Sequence, residues 1–361
     1  MNLLKGCLLL CSHFKKILHR NMESLNIGII TYHLDKGNGI DSAVVRFAEG
    51  LSKRNNVTLI ASRNNFETDV PFLQINQDNS KIPGAHKILN KMDLDVLSSH
   101  FVPSNFIASR TKFFHVMHDA GLPDFYLMNG LRERLFWLKS HLLNSLSLKR
   151  VDIVFSISEY LKRELIRRYK YKGEVHVLPY GLNVPGPQRK IDGNFILYVG
   201  RHIRYKNIHT LFKIFDAFSK DHPDVYLYTI GIQPDPDYYE ELLCLSKNKK
   251  IKMMGYVENV YDYIYTCRAY VNASLWEGQD LPVIESQMLG RPAITYNNCS
   301  HPETNFSGYL AKNENHFAEL IASALDTKVD PRPVIEKFSM DSMVNNFEKL
   351  ISRKLNEGVK E

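Results

Sequence analysis

The chain has no run of about 18 apolar residues, the length that a helix needs to cross a bilayer, so no transmembrane helix is expected. Cysteine is scarce. Cys7, Cys11, Cys244, Cys267 and Cys299 are odd in number and mostly far apart. They do not form the pattern of a disulfide framework, and a reducing, cytoplasmic compartment is the expectation. No Cys/His spacing suits zinc. There is no internal repeat and no low-complexity tract, which sets aside repeat arrays and disordered polar segments. Nucleic-acid motifs are missing too, so nucleic acid is not expected as a partner.

What is present is ordinary for a globular protein. The 361 residues are 44% hydrophobic and 24% charged, enough for two α/β domains with full cores. The net charge of +7 suits an anionic substrate, a membrane surface or nucleic acid and decides none of them. Residues 1–22 read as an N-terminal extension. Leu3, Leu4, Cys7, Leu8, Cys11, Phe14 and Leu18 recur at helical spacing among cations. That fits an interfacial helix, or an upstream extension with translation starting at Met22.

Short apolar runs alternate with helical patterns, which predicts parallel sheets joined by crossover helices. Strands are expected at 26–32, 57–61, 95–99, 112–116, 152–156 and 175–178, with a first helix over 41–51. The segment 179–187 holds three prolines and two glycines and reads as a linker. A second series comes after it, with strands at 195–199, 225–230, 251–253, 269–272 and 292–295. Its helices are expected at 207–219, 237–247, 259–266 and 282–289. A last helical stripe covers 333–354, with Phe338, Met343, Val344, Phe347, Leu350 and Ile351 on one face. Two such domains would face each other across a ligand cleft.

The most informative segment runs from Ser274 to Pro292. Glu277 lies in a Gly-containing loop, and Glu285 comes eight positions later inside a helix that Pro282 opens. The helix end favours an anion. Two carboxylates beside an anion site suit a nucleotide sugar, whose diphosphate takes the helix end and whose hydroxyls need acceptors. Upstream, the strand at 195–199 ends in Gly200-Arg201, with Lys206 five residues on. Arg can grip two phosphate oxygens, and Lys acts as a compact charge. Gly37-Asn38-Gly39-Ile40-Asp41 comes after the first strand, and His118-Asp119 after the strand ending near Met117, with His115 a competing candidate. A His at a strand's carboxyl end, facing a cleft, suits sugar orientation or proton handling.

These pieces together resemble the family-four glycosyltransferases, glycosyl transferases group 1, which have two Rossmann-like domains in the GT-B arrangement. The resemblance covers roughly residues 24–353. It implies domains at 23–184 (acceptor side) and 185–332 (nucleotide-sugar side). It also implies a C-terminal helix within 333–361 that crosses back to the first domain. It implies that Glu277 and the loop Gly278-Gln279-Asp280-Leu281 bind the donor sugar, and that Glu285 binds the ribose diol. Arg201 and Lys206 would bind the diphosphate, with Gly39 and His118 contacting the donor from the other domain. The catalytic set is then His118, Arg201, Lys206 and Glu277.

The implied reaction is retaining transfer from a nucleotide-diphosphate sugar, UDP in preference to GDP, to a glycan or lipid-linked acceptor. No metal or other cofactor is implied, since Arg and Lys stand in for one. The pairs Asp93/Asp95 and Asp235/Asp237 imitate a metal motif of the other transferase fold. Two departures from the family pattern, Asp280 and Asn38 at usual glycine positions, keep a silent homologue acting as a binding or partner subunit as the alternative. Asp280 would add a charge beside the donor. Finally, 131–150 and 161–172 carry cations around apolar stripes. Both read either as a peripheral contact with an anionic membrane at its inner face or as the solvated faces of core helices.

Overall fold

The protein is described from a computed structural model that covers residues 24–78 and 82–357. The expectations for residues 1–22 lie outside the described residues. The first sheet holds β1 (Asn26–Thr31), β2 (Asn56–Ala61), β3 (Phe72–Gln74), β4 (Val96–His100), β5 (Phe114–Asp119), β6 (Ile153–Ser156) and β7 (Val175–Val177). Its order is β3-β2-β1-β4-β5-β6-β7. The second holds β8 (Phe195–Val199), β9 (Tyr226–Ile230), β10 (Ile251–Gly255), β11 (Tyr270–Asn272), β12 (Ala293–Tyr296) and β13 (Tyr309–Ala311). Its order is β10-β9-β8-β11-β12-β13. The strands pair in parallel throughout. Each order reverses direction once, at β1/β4 and at β8/β11, and such switch points open a crevice beyond the strands' carboxyl ends.

The helices that frame this crevice are α1 (Gly39–Ser52), α2 (Gly130–Ser147), α3 (Glu159–Tyr169), α4 (Ile208–Phe218), α5 (Leu281–Met288), α6 (Arg332–Phe338) and α7 (Met340–Glu357). Asn38 starts α1: its side-chain oxygen accepts from the Ile40 N–H at 3.3 Å. Val44, Val45, Phe47, Ala48 and Leu51 then bury one face of that helix against the sheet. The single helix expected over 333–354 is two helices. Ser339 is extended (φ −67°, ψ 151°) and ends α6. The linker holds the break open: Leu182 N–H donates to Phe338 O, and Met340 N–H to Leu182 O.

Beyond the break, α7 leaves the second domain and packs on α1. Met343, Val344, Phe347, Ile351 and Leu355 lie in the core of the first domain, with the Phe47 and Phe347 rings 5.1 Å apart. Gly50 permits the approach, since a β-carbon there would sit 2.9 Å from Val344. Several elements among the described residues go beyond the sequence expectation, including the helices Ile82–Leu89, Ser104–Ala108 and His301–Thr304. Others are β3, an exposed edge strand; the three-residue β13; and the helix Glu314–Ala324 beside it.

Candidate functional site

The loop after β11 brings the expected donor residues together. Glu277 is buried, and its Oε1 accepts from Lys206 Nζ at 2.5 Å and from Asn272 Nδ2 at 3.2 Å. Lys206 reaches it from the turn before α4. There Asn207 is left-handed (φ 58°) and its amide donates to Ala273 O, tying the turn to the donor loop. Burial would lower the Lys206 pKa, but the Glu277 carboxylate, with Tyr205 and Asp280 adding, offsets this and the pKa is raised. Arg201 stands apart from that pair. It lines an interdomain cavity of about 480 Å³, with its guanidinium 3.3 Å from Tyr205 OH.

The rest of the loop faces the first domain. A β-carbon on Gly278 would meet Ala120 O at 2.8 Å and Leu161 Cδ1 at 2.9 Å, so the contact requires glycine. Gln279 bonds both backbone groups of Tyr180. Leu281 packs against the core of the first domain and against α6. A β-carbon on Gly39 would sit 3.6 Å from Leu281 Cδ1, so the Gly loop lies over the start of α5. One turn into α5, Glu285 is buried. Tyr261 OH donates to its Oε1 at 3.0 Å, and Arg46 of α1 lies 3.6 Å from the same oxygen.

Two expectations are corrected. Asp280 does not point a charge at the donor. Its carboxylate turns inward, accepting from Asn272 Nδ2 at 2.5 Å and facing His301 Nε2 at 3.2 Å, and only 3% of the residue is exposed. Burial would lower the His301 pKa. The hydrogen bond to Asp280, with help from Cys299, instead raises it to about 10. Glu277, Asp280 and His301 have ligand-type atoms within 4.8 Å of one another. In this arrangement Lys206 and a protonated His301 already occupy the two carboxylates.

The second correction concerns His118, which does not face the cleft. β5 runs on to Asp119, which places His118 inside the strand and its ring in the core, stacked 4.2 Å from His100 and near Phe47 and Phe347. Burial, with His100 adding, drives its pKa well down, so it is a neutral ring. His115 is buried as well, against Ser99 Oγ at 2.8 Å. Neither Asp pair forms a carboxylate pair: Asp95 accepts from Asn26 N–H, and Asp235 caps the helix Pro236–Leu245.

The cavity contains residues that the motifs do not single out. Asp41, in the first turn of α1, accepts from Asp35 N–H at 3.0 Å, and burial raises its pKa to about 6. Its position two residues after Gly39 is a usable signal. Trp137 and Phe136 line the same cavity from α2. The two basic stretches differ. α3 is a core helix with Leu161 and Leu165 buried. Its Arg167 pairs with Glu164, and its Arg168 with Asp124. α2 is inverted: its buried residues are Ser140, Asn144 and Ser147, while Leu131, Leu135, Phe136, Leu138, Leu142 and Leu146 are exposed.

Residues 185–338 match the family described as Glycosyl transferases group 1, and residues 37–184 match Glycosyltransferase Family 4. The chain belongs to the family-four glycosyltransferases. One relative of this glycosyltransferase is the N-acetylgalactosamine-N,N'-diacetylbacillosaminyl-diphospho-undecaprenol 4-alpha-N-acetylgalactosaminyltransferase of Campylobacter jejuni. It is 24% identical over 293 residues, which are 72% of this chain and 77% of the relative. Two solved structures share the GT-B fold. Sucrose-phosphate synthase of Thermosynechococcus elongatus has a TM-score of 0.75 at 17% identity, over 91% of this chain and 98% of that one. Anabaena HepE in complex with UDP and glucose has a TM-score of 0.70 at 13% identity, over 91% of this chain and 100% of that one.

Proposed function

We propose that this glycosyltransferase moves a sugar from a nucleoside-diphosphate sugar, UDP in preference to GDP, to a glycan or lipid-linked acceptor, with retention at the anomeric carbon. The observation that carries the reading is the Lys206–Glu277 pair in front of α5, with Arg201 open to the cleft beside it. Glu277 takes sugar hydroxyls and Glu285 the ribose diol. As the sugar–phosphate bond breaks, charge moves onto the diphosphate. Fixed cations at Arg201 and Lys206 stabilise it without solvent reorganisation. The acceptor hydroxyl forms the new bond on the same face, and its proton passes to the leaving phosphate oxygen. The protein supplies no nucleophile and no metal in this scheme. Gly39 lets the opposite domain close over the donor.

The silent-homologue alternative loses its motive. Asp280 is turned away into a pair with His301, and the Asn38 side chain caps α1 at the cavity wall.

The acceptor reading is supported by α2, whose apolar face is exposed and whose Phe136 and Trp137 also line the cavity. Exposed Arg132, Lys149 and Arg150 flank that face. A peripheral contact with an anionic membrane, at its cytoplasmic side, would bring a lipid-linked acceptor to the cavity mouth. The Campylobacter relative is named for a diphospho-undecaprenol substrate, which agrees. A melting-temperature screen of UDP- and GDP-sugars, followed by donor hydrolysis with the best binder, tests the core of the reading. A shift with none of them would overturn it.

A further inference from the structure

Glu285 is set by a residue from the other domain. Its Oε1 is taken by Tyr261 OH at 3.0 Å, and Tyr261 OH in turn accepts from Arg46 Nη2 at 2.8 Å. Arg46 Nη1 stands 3.6 Å from the same carboxylate oxygen. Arg46 lies on α1 of the first domain, whereas Tyr261 and Glu285 lie on adjacent helices of the second. Both carboxylate contacts fall on Oε1, which leaves Oε2 as the oxygen to receive a ligand. Burial raises the Glu285 pKa, and Arg46 is the nearby cation that opposes this. No motif points to Arg46, because it sits two turns beyond the Gly loop between the apolar residues Val45 and Phe47.

We propose that Arg46 is a positioning residue for the donor. With Tyr261, it fixes the Glu285 carboxylate so that Oε2 accepts from a vicinal diol, and it does so only when the two domains are closed. The inference rests on the reading that Glu285 binds the donor ribose. It adds that affinity for the nucleotide is set partly by a residue of the acceptor-side domain. An open enzyme would then hold its donor weakly, and closure would tighten it without any new contact between Arg46 and the ligand.

The test is a double-mutant cycle on the full chain, read by calorimetric binding of UDP and, separately, of GDP, with steady-state kinetics alongside. Arg46→Ala should weaken nucleotide binding by about tenfold and raise the donor KM similarly, with kcat little changed. Arg46→Lys should recover part of the loss, since it restores the cation but not the fork. Tyr261→Phe should resemble Arg46→Ala and serves if the latter fails to fold. In the Glu285→Gln background, Arg46→Ala should add almost nothing, because the two act through one carboxylate. A full additional loss there would overturn the proposal, since Arg46 would then be touching the ligand or acting elsewhere. Weaker binding with Glu285→Gln but unchanged binding with Arg46→Ala would overturn it too, leaving the ribose reading intact. Unchanged binding with Glu285→Gln would remove the ribose reading and the inference with it.

Discussion

Gln279 of the donor loop grips Tyr180 at the end of the first domain with both ends of its carboxamide. The Tyr180 N–H donates to Oε1 at 2.8 Å, and Nε2 donates to the Tyr180 carbonyl at 3.0 Å. The Tyr180 hydroxyl then meets His100 Nδ1 at 2.9 Å, and His100 stacks on His118. The donor loop is thus joined through buried groups to the core of the opposite domain. Gln279→Ala should strand a buried N–H and a buried C=O, each costing about 1–3 kcal/mol. Urea unfolding would detect the loss, and an unchanged midpoint would show that the domains close without this contact.

Arg201 and Lys206 should separate in their side effects. Both substitutions to Ala should lower kcat/KM by roughly 100-fold or more if they stabilise the leaving diphosphate. Arg201 borders the cavity, so its removal should leave stability nearly intact. Lys206→Ala abandons a buried Glu277 and should destabilise by about 3–5 kcal/mol. Equal melting temperatures for the two variants would contradict the pairing.

The proposed donor site draws on motifs that the sequence places at the ends of strongly apolar strands. β8 and β11 run through buried residues, so Gly200-Arg201 after the first and the loop from Ala273 to Asp280 after the second must emerge at the crevice. The same logic misplaces His118. The apolar run ends at Met117, whereas β5 carries two more residues and pairs His118 with Phe155. Asp280 misleads because its partner, His301, is distant in sequence and only the fold brings them together. Arg46 is invisible for that reason also. The inversion of α2 is hidden because periodicity finds an apolar stripe but does not say which side is wet. The small polar residues Ser140, Asn144 and Ser147 on the opposite side are the available clue.

The His301–Asp280 pair gives a pH signature. The imidazole is raised from 6.5 to about 10 in the fold. Below the lower value both folded and unfolded chains carry the proton, and the pair's contribution is fully present. As pH climbs through the upper value the contribution is lost. Stability should therefore fall between these limits. His301→Gln should flatten that slope and should be least stable, relative to the parent, at the acid end of the window. Chemical denaturation across the window measures both, and parallel slopes for parent and variant would rule out a charged His301.

Metal chelation offers a separate check on the leaving-group cations. With Lys206 on Glu277 and His301 on Asp280, the carboxylates that could hold an ion are already matched by protonated side chains. EDTA should leave transfer intact. Complete loss, restored by manganese or magnesium, would instead assign an ion to the Glu277, Asp280 and His301 group.

The exposed face of α2 provides a test of how the proposed acceptor is met. Leu135, Leu138 and Leu142 are 56%, 50% and 59% exposed, so replacing them removes no core contact. A chain starting at Met22 should co-sediment with vesicles rich in anionic lipid. Exposed cations beside α2 contribute about 1 kcal/mol each near such a surface. That part is screened beyond ~8 Å at physiological ionic strength. Apolar insertion is not screened, so high salt should weaken the binding without abolishing it. Changing the three leucines to Ser should weaken binding at low salt and abolish it at high salt, while leaving the melting temperature and donor hydrolysis unchanged. Reversing Arg167 should do little, because that residue lies on α3, is paired with Glu164 and has only Ile166 as an exposed apolar neighbour on that helix. Loss of binding with Arg167→Glu but not with the leucine variant would assign the membrane contact to α3. Equal, negligible binding of the parent to anionic and neutral vesicles would leave a soluble glycan as the acceptor.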